Sequence, residues 1–417
     1  MMSEATWFAG IDWASRKHQI CLLDAAGRIV GEREVAHSGA GLAELCDWLV
    51  ASSGAEAGAV AVAIEVSHGP VVETLLERGF LVYAVNPKQL DRFRDRFTVA
   101  GAKDDRRDAQ VLGDSLRTDP HCFRRLGLDD PLVIELRAWS RLADELQQER
   151  TRLTNRMREQ LWRYYPQALQ LTDDLAADWF LAFWQFAPTP DKARRLREST
   201  LARLLKQHGV RRLKAPEARR LLRQPPLLVA PGTAAAAGAH LRSLVARLRL
   251  VNRQLREARD NLDSLCLEFA DAEPATPGQQ NEPRDVAILR SLPGIGRINL
   301  ATLLAEAPEP LKRRDYHALR TLSGVAPVTR RSGKHTLVLR RLACHRRLSD
   351  AVYHWARVAI QHDPNSRHRY AALRHRGHSH GRALRGVGDR LLAVACAMLT
   401  NRTLFDPTRY AVQPAAA

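Results

Sequence analysis

The sequence predicts a mixed architecture: an α/β N-terminal domain, two long helices in the middle, and a basic helical domain towards the C-terminus. Three observations carry this reading. Over the first hundred residues short strand-like apolar runs alternate with helix-like ones. A leucine seam of heptad spacing runs unbroken from Leu241 to Phe269. Residues 311–390 hold 19 Lys/Arg against 4 Asp/Glu, whereas residues 1–110 hold 12 against 16.

The N-terminal elements follow in order. Trp7 to Trp13, His18 to Asp24 and Arg28 to Val35 read as three short strands, with Gly27 turning the chain between the last two. Leu42 to Val50 reads as a helix, and Ala59 to Val66 as a buried strand carrying one acid, Glu65, near its end. Val71 to Arg78 is a helix stopped by Gly79, and Phe80 to Val85 a strand closed by Asn86-Pro87. The order β-β-β-α-β-α-β-α describes a three-strand meander extended by parallel strands.

In the middle, Leu142, Leu146, Leu153, Met157 and Leu161 share one face of a helix within Glu135 to Tyr165. The second helix repeats Leu241, Leu244, Leu248, Val251, Leu255, Ala258, Leu262, Leu265 and Phe269 at spacings of 3 and 4. Such a seam serves either self-association or an intramolecular hairpin, with self-association as the expectation. Residues 170–238 are rich in Arg, Leu, Pro and Ala and show no motif. The boundaries read as 1–130 for the α/β domain, 131–269 for the coiled-coil region, 270–284 for a Pro/Gly/Gln linker, 285–405 for the C-terminal domain, and 406–417 for a disordered tail.

Composition narrows the function. The net charge is +18, concentrated in 311–390, which favours a polyanionic partner through counterion release over a small substrate. A charged solubility face is the bland alternative, but such faces intersperse both signs. No apolar run reaches the roughly 20 residues of a membrane span, and the first residues lack a signal-peptide pattern. The expectation is a soluble intracellular protein. The six cysteines are scattered with no C-x-x-C pair, which argues against a disulfide framework or a structural zinc site.

Four acids stand out by position. Asp12 ends the first apolar strand, Glu65 ends the central one, and Asp105 and Asp108 lie three apart at a helix start in KDDRRDA. Each alone has an ordinary explanation as a turn former or a helix N-terminal charge. Converging, they would repel one another unless divalent metal neutralised them, and a pair of Mg²⁺ or Mn²⁺ ions suits phosphodiester cleavage. Asp104 is a rival ligand that points about 100° away on the helix.

In the basic region, Leu292-Pro293-Gly294-Ile295-Gly296 before a helical run resembles a helix-hairpin-helix turn, in which Gly294 and Gly296 let backbone N–H groups approach a phosphate; a plain Pro-Gly turn is the alternative. Ser332 sits in a glycine-containing turn among Arg330, Arg331, Lys334 and His335. These residues suit phosphate binding, whereas a nucleophilic serine also needs a base and cations for a pentacovalent phosphate. Spacing alone leaves both readings open. His375, His378 and His380 lack an acid or cysteine to complete a metal set and read as a DNA-facing segment.

Together these motifs resemble the insertion-sequence one-ten family of transposases. KDDRRDA is similar to the family's K-T-D-x-x-D-A motif, departing at Asp104, where threonine is usual; PGIGRINLATLLAE and LSGVAP with SGK resemble its C-terminal transposase domain. The resemblance runs from about residue 7 to residue 400. It implies a RuvC-like, RNase H-fold domain whose Asp12, Glu65, Asp105 and Asp108 form a "DEDD" magnesium or manganese site. It also implies Ser332 as a nucleophile forming a transient link to a DNA end, completed by a tetrad from another subunit. The implied partners are donor and target DNA, a structured bridge RNA that guides the protein, and further copies of the chain as a dimer to tetramer. The implied setting is the bacterial cytoplasm, at the nucleoid. Rival readings are a junction-resolving nuclease that uses water, and a non-catalytic architectural protein with structural acids.

Overall fold

The computed structural model describes residues 5–96, 104–128, 130–272, 284–333 and 335–408. Lys334, residues 273–283 of the expected linker, and residues 409–417 of the expected tail lie outside the described residues. The chain divides into two compact units, Met1–Asp130 and Pro131–Ala417.

The first unit is built on a six-stranded mixed sheet. Strands β1 (Trp7–Asp12), β2 (Lys17–Leu23) and β3 (Ile29–Ala36) form the antiparallel meander, followed by helix α1 (Gly39–Ser53). Strand β4 (Val60–Ile64), helix α2 (Pro70–Glu77) and strand β5 (Leu81–Ala84) add the parallel part, with β4 paired to β1 and β5 to β4. Helices α3 (Pro87–Arg94) and α4 (Asp105–Thr118) follow, and the short β6 (Arg124–Arg125) runs antiparallel to β5. The sheet order is β3-β2-β1-β4-β5-β6. All five residues of β4 are buried, because a central parallel strand is covered on both faces.

Two differences from the sequence reading have local causes. Asn86-Pro87 closes β5 but also starts α3: the Asn86 side chain accepts from the Lys88 amide, and Pro87 takes the first helical position, where its missing N–H costs nothing. Strand β6 consists of two exposed arginines, so its pairing rests on backbone hydrogen bonds that no side-chain pattern reports.

The second unit is organised by a hairpin of two long helices, α5 (Pro131–Tyr164) and α10 (Thr233–Ala272). Between them lie α6 (Asp178–Phe186), α7 (Pro190–Arg194), α8 (Glu198–Gln207) and α9 (Ala215–Leu222). After them come α11 (Asp285–Arg290), α12 (Arg297–Glu306), α13 (Pro308–Lys312) and α14 (Tyr316–Leu322). A β-hairpin, β7 (Val328–Ser332) and β8 (His335–Leu339), precedes α15 (Arg346–His362), α16 (Pro364–His375) and α17 (His380–Asn401). Among the described residues the C-terminal region is thus helical except for this hairpin, which the sequence reads as a turn.

The long helices run antiparallel and feed two cores. Leu153, Met157 and Leu161 of α5 pack with Leu241, Leu244, Leu248 and Val251 of α10 and the buried faces of α6 to α9. Leu136 and Ala143 pack with Leu255, Ala258, Leu262 and Leu265, and with the helices from α11 onward, around the buried Trp355. The leucine seam is therefore spent inside the chain: from Leu241 to Leu265 every seam residue is buried without a second copy. This overturns the expectation that the seam is a self-association surface; burying it at home removes the apolar area that would drive association. Leu142, expected on the inner face of α5, is 40% exposed, and the neighbouring Ala143 is the buried residue. No described helix is long and apolar enough to cross a membrane.

Candidate metal and nucleophile sites

The strand register places the first two acids together. Asp12 is the last residue of β1, and Glu65 directly follows β4. The parallel pair Ile11–Ile64 is the final rung between these strands, so Asp12 and Glu65 stand side by side at their carboxyl ends. This is the edge where open α/β sheets offer their crevices.

Helix α4 brings the other two acids to the same end. It lies against β1 at backbone contact: a Cβ on Gly10 would stand 1.9 Å from the Ala109 carbonyl oxygen and 2.5 Å from the Gly113 nitrogen. A Cβ on Gly113 would in turn meet the Gly10 nitrogen at 3.0 Å. Gly113 sits over Ala9–Gly10 and Ala109 over Gly10, so α4 runs antiparallel to β1 and its first turn points towards the Asp12 end. Asp104 is the N-cap of that turn, its side chain accepting from the Arg106 amide; Asp105 is exposed and Asp108 buried. The capping role accounts for Asp104 without metal.

Asp108 already has a cation. Arg94 of α3 donates from Nε to Asp108 Oδ1 at 2.7 Å and from Nη2 to Oδ2 at 2.8 Å, a bidentate pair, while Nη1 reaches Asp91 at 2.8 Å. Burial works against the charge of Arg94. The hydrogen bond and charge of Asp108, then the charges of Asp91 and Glu65, outweigh that and raise its pKa above the usual value. Among the described residues, no group of three or more His, Cys, Asp or Glu side chains is arranged to hold a metal ion. The oxygen donors are of the hard type that Mg²⁺ or Mn²⁺ prefers. Arg94 supplies positive charge at Asp108. Arg94 was missed from sequence, where it is one of three arginines in DRFRDR with nothing to single it out.

A second missed residue steadies the turn after Asp12. The buried His18 accepts from the Ala14 amide at its Nδ1, 3.3 Å away, so its proton sits on Nε2, 2.9 Å from His37 Nδ1. Burial, and then the neighbouring His37, lower the His18 pKa, keeping the ring neutral.

The C-terminal candidates separate into two places. Ser332 ends β7 at the tip of the β-hairpin, paired across the ladder with His335, and it is exposed together with Arg330, Arg331 and His335. Gly333, at φ 54, makes the turn left-handed there. Gly294 has a different task from the one expected. A Cβ there would meet the Ala359 backbone nitrogen at 2.6 Å, so its hydrogen lets the loop before α12 pack on α15, and Trp355 Nε1 donates to the Pro293 carbonyl at 2.9 Å. That contact is helix packing, a reason for glycine at this position that needs no phosphate. Gly296 is exposed at the N-cap of α12, with nothing within 4 Å of a built Cβ.

Residues 9–166 match a family described as transposase, of the DEDD type of IS110 elements, and residues 286–371 match the transposase IS116/IS110/IS902 family. The Streptomyces coelicolor protein named "Mini-circle putative transposase for IS117" is 33% identical over 409 residues, 97% of this chain and 96% of its own length. The chain belongs to the IS110 family of transposases. A Sinorhizobium fredii protein named "Putative transposase y4uE" is 60% identical to this IS110-family chain over 223 residues, 53% of the chain. That match spans 62% of the relative, less than two thirds of its length. An uncharacterized 42 kDa protein of insertion element IS900 from Mycobacterium paratuberculosis is 26% identical over 415 residues, 97% of the chain and 98% of the relative. The first family match contains all four acids, and the second contains Gly294, Gly296 and Ser332.

Proposed function

We propose that this protein moves an insertion element by cutting and rejoining DNA, with an RNase H-like acid site and a serine nucleophile. The observation that carries the reading is the convergence of Asp12 and Glu65, side by side at parallel strand ends, with the acidic first turn of α4 laid towards them by the Gly10–Gly113 contact. Asp12, Glu65, Asp105 and Asp108 are the residues to hold Mg²⁺ or Mn²⁺, with Arg94 releasing Asp108 when they do. Bound there, the metal supplies charge neutralisation for a phosphodiester under attack.

Ser332 is the group to attack phosphorus. Its Oγ forms the new P–O bond, the bond to one deoxyribose oxygen breaks, and the serine proton ends on that departing oxygen. Arg330, two residues before it on the same ribbon face, is the cation to offset phosphate charge, with Arg331 adding charge from the opposite face. His335, its partner across the ladder, is the group to carry the proton. Donor and target DNA are the substrates, a structured RNA is the guide that selects them, and more than one copy of the chain acts together. Since the α10 seam is buried at home, assembly of those copies uses other surfaces.

The test is a denaturing gel of labelled element-end DNA incubated with protein, its co-purifying RNA and Mg²⁺. The expected result is a slow covalent protein–DNA band in the wild type, absent in Ser332→Ala and in Asp105→Asn, with DNA binding retained in both. A covalent band that persists in Ser332→Ala removes the serine from the reaction. Cleaved DNA with no covalent species assigns the attack to water.

A further inference from the structure

The segment between the long helices, which carries no sequence motif, has the second strong charge imbalance of the molecule. Residues 190–224 contain twelve Lys/Arg against three Asp/Glu. Helices α7, α8 and α9 turn their apolar residues inward, with Ala193, Leu201, Leu204, Leu205, Ala218 and Leu222 in the core, and leave nearly all the cations exposed. An ordinary solvated face mixes signs, because like charges at short range cost energy. Here the ion pair between Arg219 and Glu198, at 3.7 Å, is the one seen in the segment among the described residues.

The cations also share a concavity. Arg194, Arg195 and Arg223, with Asp191, line a solvent-open cavity of about 530 Å³. Arg194 ends α7, Arg195 caps it, and Arg223 caps α9, so three guanidinium groups gather where two helices present their carbonyl ends. Those carbonyl ends partly offset the mutual repulsion. Among the described residues no carboxylate lies within ion-pairing distance of any of the three guanidinium groups, and Asp191 is the only acid on the rim. A guanidinium is a planar donor fork suited to phosphate oxygens.

We propose that the α7–α9 face is a second nucleic-acid site, in which Arg194, Arg195 and Arg223 grip successive phosphates of a sugar–phosphate backbone. It lies outside both groups of residues assigned to the chemistry, and its role is to hold nucleic acid rather than to react with it. The inference rests on the reading above that the protein's substrates are nucleic acids. The phosphodiester chemistry is common to DNA and RNA, so the experiment separates them.

The experiment measures binding of full-length wild type and of an Arg194→Gln/Arg195→Gln/Arg223→Gln variant across a salt series. The probes are a labelled DNA duplex, a DNA single strand and a hairpin RNA, all of arbitrary sequence. Each phosphate contact on duplex DNA contributes about −0.9 to the slope of log K against log salt. The variant is expected to lose about two to three from that slope with the probe that occupies the site, and to keep the wild-type unfolding midpoint. Arg→Lys at the same three positions retains the charge and should restore most of the slope. Loss with the duplex alone identifies DNA as the ligand, and loss with the hairpin alone identifies RNA. Unchanged slopes with all three probes, in a wild type that binds them, overturn this site and leave the wider reading standing. A wild type that binds no nucleic acid overturns both.

Discussion

The strand-end acids and the Ser332 hairpin are built on opposite plans. Asp12 and Glu65 end strands whose side chains are buried in sheet cores, and a helix is pressed to backbone contact behind them. Ser332 ends a two-stranded ribbon whose first strand is almost wholly exposed and whose partner strand leaves Leu337 and Val338 more than half exposed. Two carboxylates side by side at strand ends repel each other, and a rigid frame is what sustains that cost, so Asp12 and Glu65 need the sheet. A neutral hydroxyl carries no such cost, so Ser332 can stand exposed at the tip of a ribbon. The contrast teaches that fixed charge is placed by packing, whereas a neutral polar group can be carried on a projection.

That contrast predicts a graded response of stability. Gly10→Val should have the largest effect, because the new side chain meets backbone rather than a movable chain end. Overpacking typically costs about 1–3 kcal/mol and occasionally more; a contact of 1.9 Å with a backbone atom puts this variant above that typical range, and α4 is displaced along with its acids. Chemical denaturation of the variant should show the loss; a wild-type midpoint would mean that α4 does not depend on this contact.

Arg94→Met comes next. It strands a carboxylate that is 2% exposed, a loss that reaches about 3–5 kcal/mol for a fully buried pair and is smaller here because Arg94 is 28% exposed. If these acids hold metal, Mg²⁺ or Mn²⁺ should recover more stability in the variant than in wild type, since the ion replaces the missing cation. Melts with EDTA and with Mn²⁺ read this directly. Equal metal response in both proteins would separate Arg94 from metal loading.

A milder effect is expected from pH. The His18 pKa is lowered in the folded chain, so below about pH 6.5 the unfolded state binds more protons than the native one. The stability contributed by neutral His18 is therefore full above that pH and is lost as pH falls through the lowered folded value. His18→Gln, which keeps a hydrogen-bonding side chain but does not titrate, should flatten this acid limb of the melting curve.

The smallest effect on stability belongs to Ser332→Ala, which removes an exposed hydroxyl and should leave the midpoint within about 0.5 kcal/mol of wild type. A large loss of stability there would break the contrast, for it would make the hairpin tip part of a packed structure.

Legibility in the sequence followed the same division. The meander, the parallel strands and the strand-end positions of Asp12 and Glu65 were readable because alternation and buried apolar runs report which residues face a core. The α10 seam was readable as a helix face, but its partner was not: one leucine stripe satisfies a second copy or a hairpin equally well, and here α5 supplies the match. Leu142 failed because a single-helix count cannot tell which of two adjacent residues, Leu142 or Ala143, the crossing of two helices will cover. Arg94 was illegible because its meaning is a pairing with Asp108, fourteen residues away and in another helix. Gly294 was read through its turn, although its reason lies in the α15 backbone, more than sixty residues on.

The α5–α10 hairpin has a mechanical consequence. Each helix contributes one end to the core of α6 to α9 and the other to the core of α11 to α17. A continuous α-helix is stiff along its axis, so the pair acts as a beam clamped at both ends. Arg150 ties the span near its middle, bonding Asn252 of α10 at 3.1 Å and Asp174 at 2.9 Å. Load applied to one end, such as a bound strand pulling on the α7–α9 face, is carried through that beam as tilt or torsion to the helices around Trp355. The two cores of this unit should therefore move as coupled bodies, and slow amide exchange should run along α5 without a soft point between them.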